Sequence, residues 1–150
     1  MRAVQLLVIT AVVALGAEAQ AQGRVKAPPA APPGAAGGLS VEDVQLPSSM
    51  STGEAASMIG SGREMLLLDV RTTHEYEQGH LPGALHIPVN EIPRRLSELA
   101  PYSDRPILVY CRTDNRSSVA RHYLARYGFK VSFMRGGVVA WSRDQRPLLR

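Results

Sequence analysis

The chain has 150 residues, of which 45% are hydrophobic, so it can bury one sizeable core and is not disordered throughout. Its net charge of +4 suits small anions at least as well as nucleic acid, and 5% aromatic residues argue against a stacking platform for single-stranded nucleic acid. A single cysteine excludes an internal disulfide framework and any zinc site made of cysteines alone.

The first 21 residues are predicted to form a secretory signal peptide. Arg2 provides a charged start, residues 6–15 are mostly apolar, and small residues frame Ala17-Glu18-Ala19 and Ala19-Gln20-Ala21. The apolar stretch is too short to span a bilayer comfortably, which favours a cleaved signal over an anchor. We therefore expect an exported protein, periplasmic if the source is bacterial, with no stable membrane insertion after cleavage.

Residues 22–46 are rich in Ala, Pro and Gly and are predicted to be a disordered linker. A folded domain is expected over residues 47–150. Strands are predicted at 65–70, 84–88, 107–110 and 131–134, and helices at 51–59, 73–78, 92–99, 117–127 and 138–143. This alternation predicts an α/β domain with a mostly parallel central sheet covered by helices on both faces.

The chemistry is concentrated around Cys111, which follows the predicted strand 107–110 and begins a polar loop that opens a helix. Ligands of parallel sheets bind outside the carboxyl ends of the strands. Loop N–H groups, the positive end of the helix dipole, Arg112 and Arg116 would all favour a thiolate, which is the nucleophilic form. The alternative is that Cys111 is a small buried core residue, as most free cysteines are.

Three motifs in order resemble the rhodanese domain, the sulfurtransferase family. Residues 67–71 (Leu-Leu-Asp-Val-Arg) with Gly79-His80-Leu81 and Ile87-Pro88 resemble its first motif. Residues 109–117 resemble its active-site loop, and Gly136-Gly137 to Trp141 resemble its closing motif. The likeness covers residues 47 to 148 and implies a rhodanese-like three-layer domain of the single-domain, exported type.

The resemblance implies a persulfide mechanism without a cofactor. The Cys111 thiolate would take the outer sulfur of a small anionic donor such as thiosulfate and pass it to a nucleophilic acceptor, either cyanide or a thiol. Backbone N–H groups of the loop would hold the persulfide, and the arginines would attract the donor; the predicted binding residues are Arg112, Thr113, Asp114, Asn115, Arg116 and Ser117. The six-residue loop, Cys-x4-Arg, is one residue shorter than that of the related phosphatases.

Asp114 stands where many members of the family have glycine. Aspartate tolerates left-handed backbone angles, so the loop could still close, but its charge opposes an anionic donor. Replacing Asp114 with Gly is therefore expected to raise activity on thiosulfate.

Supporting roles are expected for six further residues: Asp69, Arg71, His80, Gly136, Gly137 and Trp141. Asp69 and Arg71 suggest a structural ion pair or cap, and Arg71 lies four residues before Glu75. His80 is expected to orient nearby backbone, the two glycines to permit close backbone approach, and Trp141 to lie in the core or the pocket wall. Although three histidines recur every six residues from His74, no metal site is favoured.

Three other functions remain compatible with the sequence. A non-catalytic binding or carrier module would hold a persulfide for a sulfur-accepting partner protein, and the Pro-rich linker and Asp114 favour it. A phosphatase is disfavoured by the loop length. A thiol redox sensor would use the same cysteine, since exported thiols meet oxidants.

Overall fold

The computed structural model describes residues 46–150. The predicted signal peptide lies outside the described residues, and so does the predicted linker except for Leu46, which packs against the core. In the described part of the chain, no helix is long and apolar enough to cross a membrane.

A five-stranded parallel sheet forms the centre of the domain. Its strands are β1 (Ser49–Met50), β2 (Leu66–Asp69), β3 (Leu85–His86), β4 (Ile107–Tyr110) and β5 (Val131–Met134). The spatial order is β1-β5-β4-β2-β3, which places β4 in the middle with neighbours on both sides. All residues of β2 and β4 are buried, because helices cover both faces of the sheet.

The helices are α1 (Thr52–Gly60), α2 (Thr73–Glu77), α3 (Ile92–Arg95), α4 (Asn115–Arg126) and α5 (Gly137–Arg143), and a 3-10 helix (Leu96–Tyr102) follows α3. Both α1 and α2 begin with a capping box, Ser51 with Glu54 and Thr72 with Glu75. In each box the first side chain accepts a backbone N–H and the glutamate reaches back to the cap, so the sequence itself fixes where these helices start.

Successive side chains of a strand point to opposite faces of the sheet, so alternate strand residues belong to two separate core clusters. Leu68 and Val109 pack with Leu124 of α4 on one face. Leu67 packs with Trp141 of α5 on the other. The result is the three-layer α/β arrangement that the sequence predicts.

The predicted strand 84–88 is reduced to the two residues of β3, and three further elements differ from the prediction. The strand β1 is unpredicted, because its two residues become a strand only by pairing with β5. The predicted helix 92–99 is instead α3 followed by the 3-10 helix, which contains Pro101 and so lacks one backbone donor. Helix α4 starts at Asn115, two residues earlier than predicted.

Candidate active site

Cys111 follows β4 directly, at the carboxyl end of the central strand. The residue is 1% exposed and belongs to the core cluster on the α4 side of the sheet. Its Sγ lies 3.4 Å from Oγ of Ser117, and that hydroxyl donates to the Asp114 carbonyl oxygen at 2.9 Å. The burial matches the core interpretation of this cysteine, whereas the polar partner matches the reactive one. The thiol lies beneath a loop whose residues 112–115 are exposed.

The loop presents backbone donors. Among the hydrogen bonds of residues 46–150, none uses a backbone N–H of residues 112–117 as the donor, and the first bond of α4 runs from Ser118 N–H to the Asp114 carbonyl at 2.9 Å. The first N–H groups of a helix have no partner within it, and its dipole adds partial positive charge. This end of the sheet therefore suits an anion. Arg112, Thr113 and Asn115 are exposed here.

The Gly136–Gly137 turn supports the loop from the α5 side. The N–H groups of Val138 and Val139 donate to the carbonyl oxygens of Cys111 and Arg112 at 2.9 and 3.1 Å. A Cβ at Gly137 would lie 2.3 Å from the Cys111 carbonyl oxygen, and the φ angle of this residue is +51°. Only glycine satisfies both conditions, so the close backbone approach expected of this pair is present.

Asp114 links the loop to the glycine turn. Its Oδ1 accepts a hydrogen bond from Gly136 N–H at 2.7 Å, which ties the middle of the loop to the glycine turn. Its φ is −133°, so the loop closes without a left-handed backbone angle at this residue. The Asp114 side chain is thus a tether between the loop and the glycine turn.

Arg116 is paired, not free. Its Nη1 and Nη2 donate to Oε2 and Oε1 of Glu75 at 2.6 and 2.8 Å, a bidentate ion pair across 41 residues. The predicted role of Arg116 in attracting the donor must therefore compete with Glu75. The suggested pairing of Glu75 with Arg71 is wrong, because each of the two has a different partner. Glu75 is the site residue that the sequence missed, since its Thr72-x-x-Glu75 pattern shows only a helix start.

The Glu75–Arg116 pair is firmly ionised. The hydrogen bonds from Arg116 lower the pKa of Glu75 to about 2, although partial burial acts in the opposite direction. The same hydrogen bonds raise the pKa of Arg116, and the charges of Cys111 and Asp69 act in the same sense. Arg116 therefore lies within electrostatic range of the cysteine.

Asp69 and Arg71 form a buried ion pair at the end of β2. Their side chains are 0% and 5% exposed, and Arg71 Nη2 donates to Asp69 Oδ2 at 2.6 Å and to the Gly79 carbonyl oxygen at 2.8 Å. The Arg71 guanidinium also lies 5.7 Å from the ring centre of Tyr110. Burial, and then the charge of Asp69, raises the pKa of Tyr110 far above its ordinary value, so this phenol is neutral. The pair therefore links the end of β2 to the turn at Gly79.

His80 is held against the end of α2. Its ring stacks on Tyr76 with centroids 3.8 Å apart, and its Nδ1 lies 3.1 Å from the Tyr76 carbonyl oxygen. The His80 backbone exchanges two hydrogen bonds with Leu149. His86 stacks on the other side of Tyr76 at 4.5 Å. In residues 46–150, no group of three or more His, Cys, Asp or Glu residues is placed to hold a metal.

Trp141 lies in the core. It is 4% exposed, its Nε1 donates to the Pro147 carbonyl oxygen at 3.0 Å, and Arg146 covers its ring at 5.3 Å. Of the two positions expected for this residue, the structure selects the core.

Comparison with known proteins identifies the family of this chain. The family model described as the rhodanese-like domain matches residues 51–144. A protein named Sulfurtransferase from Allochromatium vinosum is 41% identical over 87 residues, which are 57% of this chain and 79% of that protein. A putative sulfur carrier protein, YrkF of Bacillus subtilis, is 36% identical over 72 residues, which are 48% of this chain and 38% of that protein.

A solved structure gives the same fold. The crystal structure of a thiosulfate sulfurtransferase from Pseudomonas aeruginosa matches with a TM-score of 0.62 and 27% identity. The match covers 68% of this chain and 20% of that protein.

Proposed function

Because the chain belongs to the rhodanese-like domain family and is similar to proteins named Sulfurtransferase and Putative sulfur carrier protein, we propose that it transfers sulfur through a persulfide on Cys111. The Cys111 thiolate attacks the sulfane sulfur of thiosulfate or a similar donor. The donor's S–S bond breaks with its electron pair, which releases sulfite from thiosulfate. Cyanide or a thiol then removes the sulfur and regenerates the thiolate, so the two half-reactions follow ping-pong kinetics.

One observation carries this proposal: the thiol lies at the carboxyl end of the central strand, beneath a loop with unused backbone donors. Those N–H groups supply fixed hydrogen-bond donors for a persulfide anion, and they need no reorganisation during the reaction. Burial of Cys111 keeps the persulfide away from bulk water and oxidants. Gly136 and Gly137 position the loop, and Asp69, Arg71, His80 and Trp141 support the elements around it.

Intact-mass measurement tests the proposal directly. The full chain is incubated with excess thiosulfate, measured, treated with cyanide and measured again, with Cys111→Ser as the control. The wild type is expected to gain one sulfur atom and to lose it to cyanide, while the variant gains none. Absence of any adduct, with turnover of an aryl phosphate, would favour the phosphatase instead.

A carrier function is the second candidate, supported by the likeness to the putative sulfur carrier protein. A carrier would keep its sulfur in the presence of cyanide and release it to a partner protein. The same mass measurement distinguishes the two, because the adduct would then survive cyanide and disappear only when the accepting protein is added.

We also propose that the protein is exported, and that it is periplasmic if the source is bacterial. Residues 1–21 support this through their charged start, apolar stretch and small residues before the linker. Expression of the full chain followed by cell fractionation and N-terminal mass analysis tests it. Retention of Met1 or Arg2 in the purified protein would contradict cleavage.

A further inference from the structure

The Glu75–Arg116 pair is partly shielded from water. The two side chains are 24% and 31% exposed, and both terminal nitrogens of the arginine are bonded to the carboxylate. A bidentate, partly buried pair of this kind is stronger than an exposed one, because water and salt screen it less. Glu75 therefore neutralises the cation that closes the loop.

Glu75 is also fixed independently of Arg116. Its Oε2 accepts from the N–H and Oγ1 of Thr72 at 3.1 and 3.0 Å, as part of the capping box of α2. The carboxylate cannot turn away to release Arg116 without giving up these bonds. An incoming anion must therefore compete for Arg116 with a carboxylate that Thr72 also holds in place.

The second carboxylate of the site completes the charge balance. Asp114 lies within the loop and is tethered to Gly136. Together with Arg112, Arg116 and Glu75 it brings the formal charge of these four side chains to zero. A small dianion beside Cys111 consequently meets far less attraction than the two loop arginines alone would supply.

From this balance we infer that Glu75 is a specificity-determining residue, which disfavours thiosulfate and adapts the site to the sulfane sulfur of an organic persulfide. The inference rests on the proposed function and narrows its donor class. Glu75 acts through Arg116 and does not touch the reacting sulfur. An organic persulfide has no sulfonate next to the transferred atom, so it does not need a free guanidinium.

The reaction of such a donor balances without an oxidant or reductant. The Cys111 thiolate attacks the outer sulfur of R–S–SH, a new S–S bond forms on Cys111, and the donor's S–S bond breaks. The electron pair leaves on R–S⁻, which takes up the proton released from the new Cys–S–SH. The products are the Cys111 persulfide anion and the thiol R–SH.

The test measures the first half-reaction with two donors, thiosulfate and the persulfide of 2-mercaptoethanol. The rate constant of adduct formation on the full chain is divided by that of N-acetylcysteine with the same donor, which removes the donors' intrinsic reactivity. The wild type should prefer the persulfide. In Glu75→Gln the thiosulfate-to-persulfide ratio should rise about tenfold, because Arg116 becomes available to the sulfonate.

Two variants separate charge from structure. Glu54→Gln breaks the equivalent capping box of α1, whose glutamate contacts Ser51 and Arg135 but not the loop residues 111–116, and should leave the ratio unchanged. Glu75→Asp keeps the charge and should keep the wild-type ratio. If Glu75→Gln does not fold, the inference is still tested by the wild type, whose normalised rate constants for the two donors show which donor it prefers.

Each other outcome is informative. A wild type that prefers thiosulfate overturns the inference, and so does a Glu75→Gln variant that slows with both donors at an unchanged ratio, which would mark a purely structural role. An adduct from neither donor overturns the proposed function itself.

Discussion

The Gly137→Ala substitution is expected to destabilise the protein by about 2–5 kcal/mol. The φ angle of Gly137 is +51°, and a residue with a Cβ loses about 1–2 kcal/mol in that region. The added Cβ would lie 2.3 Å from the Cys111 carbonyl oxygen and 2.6 Å from that of Thr113. Both are main-chain atoms, so relief requires the loop to move, and overpacking of this kind costs about 1–3 kcal/mol.

Urea unfolding, followed by circular dichroism, measures the stability, and the rate of sulfur loading on Cys111 measures the geometry of the loop. Gly62→Ala is the matched control, because Gly62 has a φ of +71° but no neighbouring atom within 4 Å of the added Cβ. That variant should lose only about 1–2 kcal/mol and load sulfur normally. Equal stability losses in the two variants, together with normal loading of Gly137→Ala, would refute the role assigned to the close backbone approach.

Three further predictions follow from the ion pairs and the tether. Asp69→Ala leaves the buried Arg71 without its counter-ion and should cost about 3–5 kcal/mol in urea unfolding, whereas a loss below about 1 kcal/mol would show that water reaches the guanidinium. Asp114→Asn keeps an acceptor for Gly136 N–H but removes the charge, so sulfur loading from thiosulfate should accelerate a few-fold at unchanged stability; slower or unchanged loading would contradict the proposed repulsion. Because the folded-state pKa of Glu75 is about 2, below its ordinary 4.5, its stabilising contribution is complete above pH 4.5 and is lost as the pH falls through that window. The difference in unfolding free energy between wild type and Glu75→Gln should decline over the same range, and a difference independent of pH would disprove the assignment.

The position of Cys111 could be predicted from sequence because it depends on local patterns. A continuous apolar run gives the buried strand β4, the polar residues after it give the loop, and the apolar periodicity of residues 119–127 gives α4. The role of Gly136 and Gly137 could also be predicted from local sequence. Two backbones that approach closely leave no room for a side chain, so adjacent glycines indicate such a contact.

The partners within the site could not be predicted in this way. Arg116 and Glu75 are 41 residues apart in the sequence. They meet only because α2 and the loop follow the carboxyl ends of the neighbouring strands β2 and β4. In the sequence, Arg71 is the nearer candidate for an ion pair with Glu75. Only the fold shows that Arg71 is already paired with Asp69. The bond from Gly136 N–H to Asp114 likewise depends on tertiary structure.

The order of the strands in the sheet also bears on how the protein is made. β5 lies between β1 and β4, so the first strand of the domain finds its place only beside the last one. The carbonyl groups of Cys111 and Arg112 likewise accept hydrogen bonds from Val138 and Val139, which come late in the chain. A nascent chain therefore cannot complete the site until Val138 and Val139 have left the ribosome.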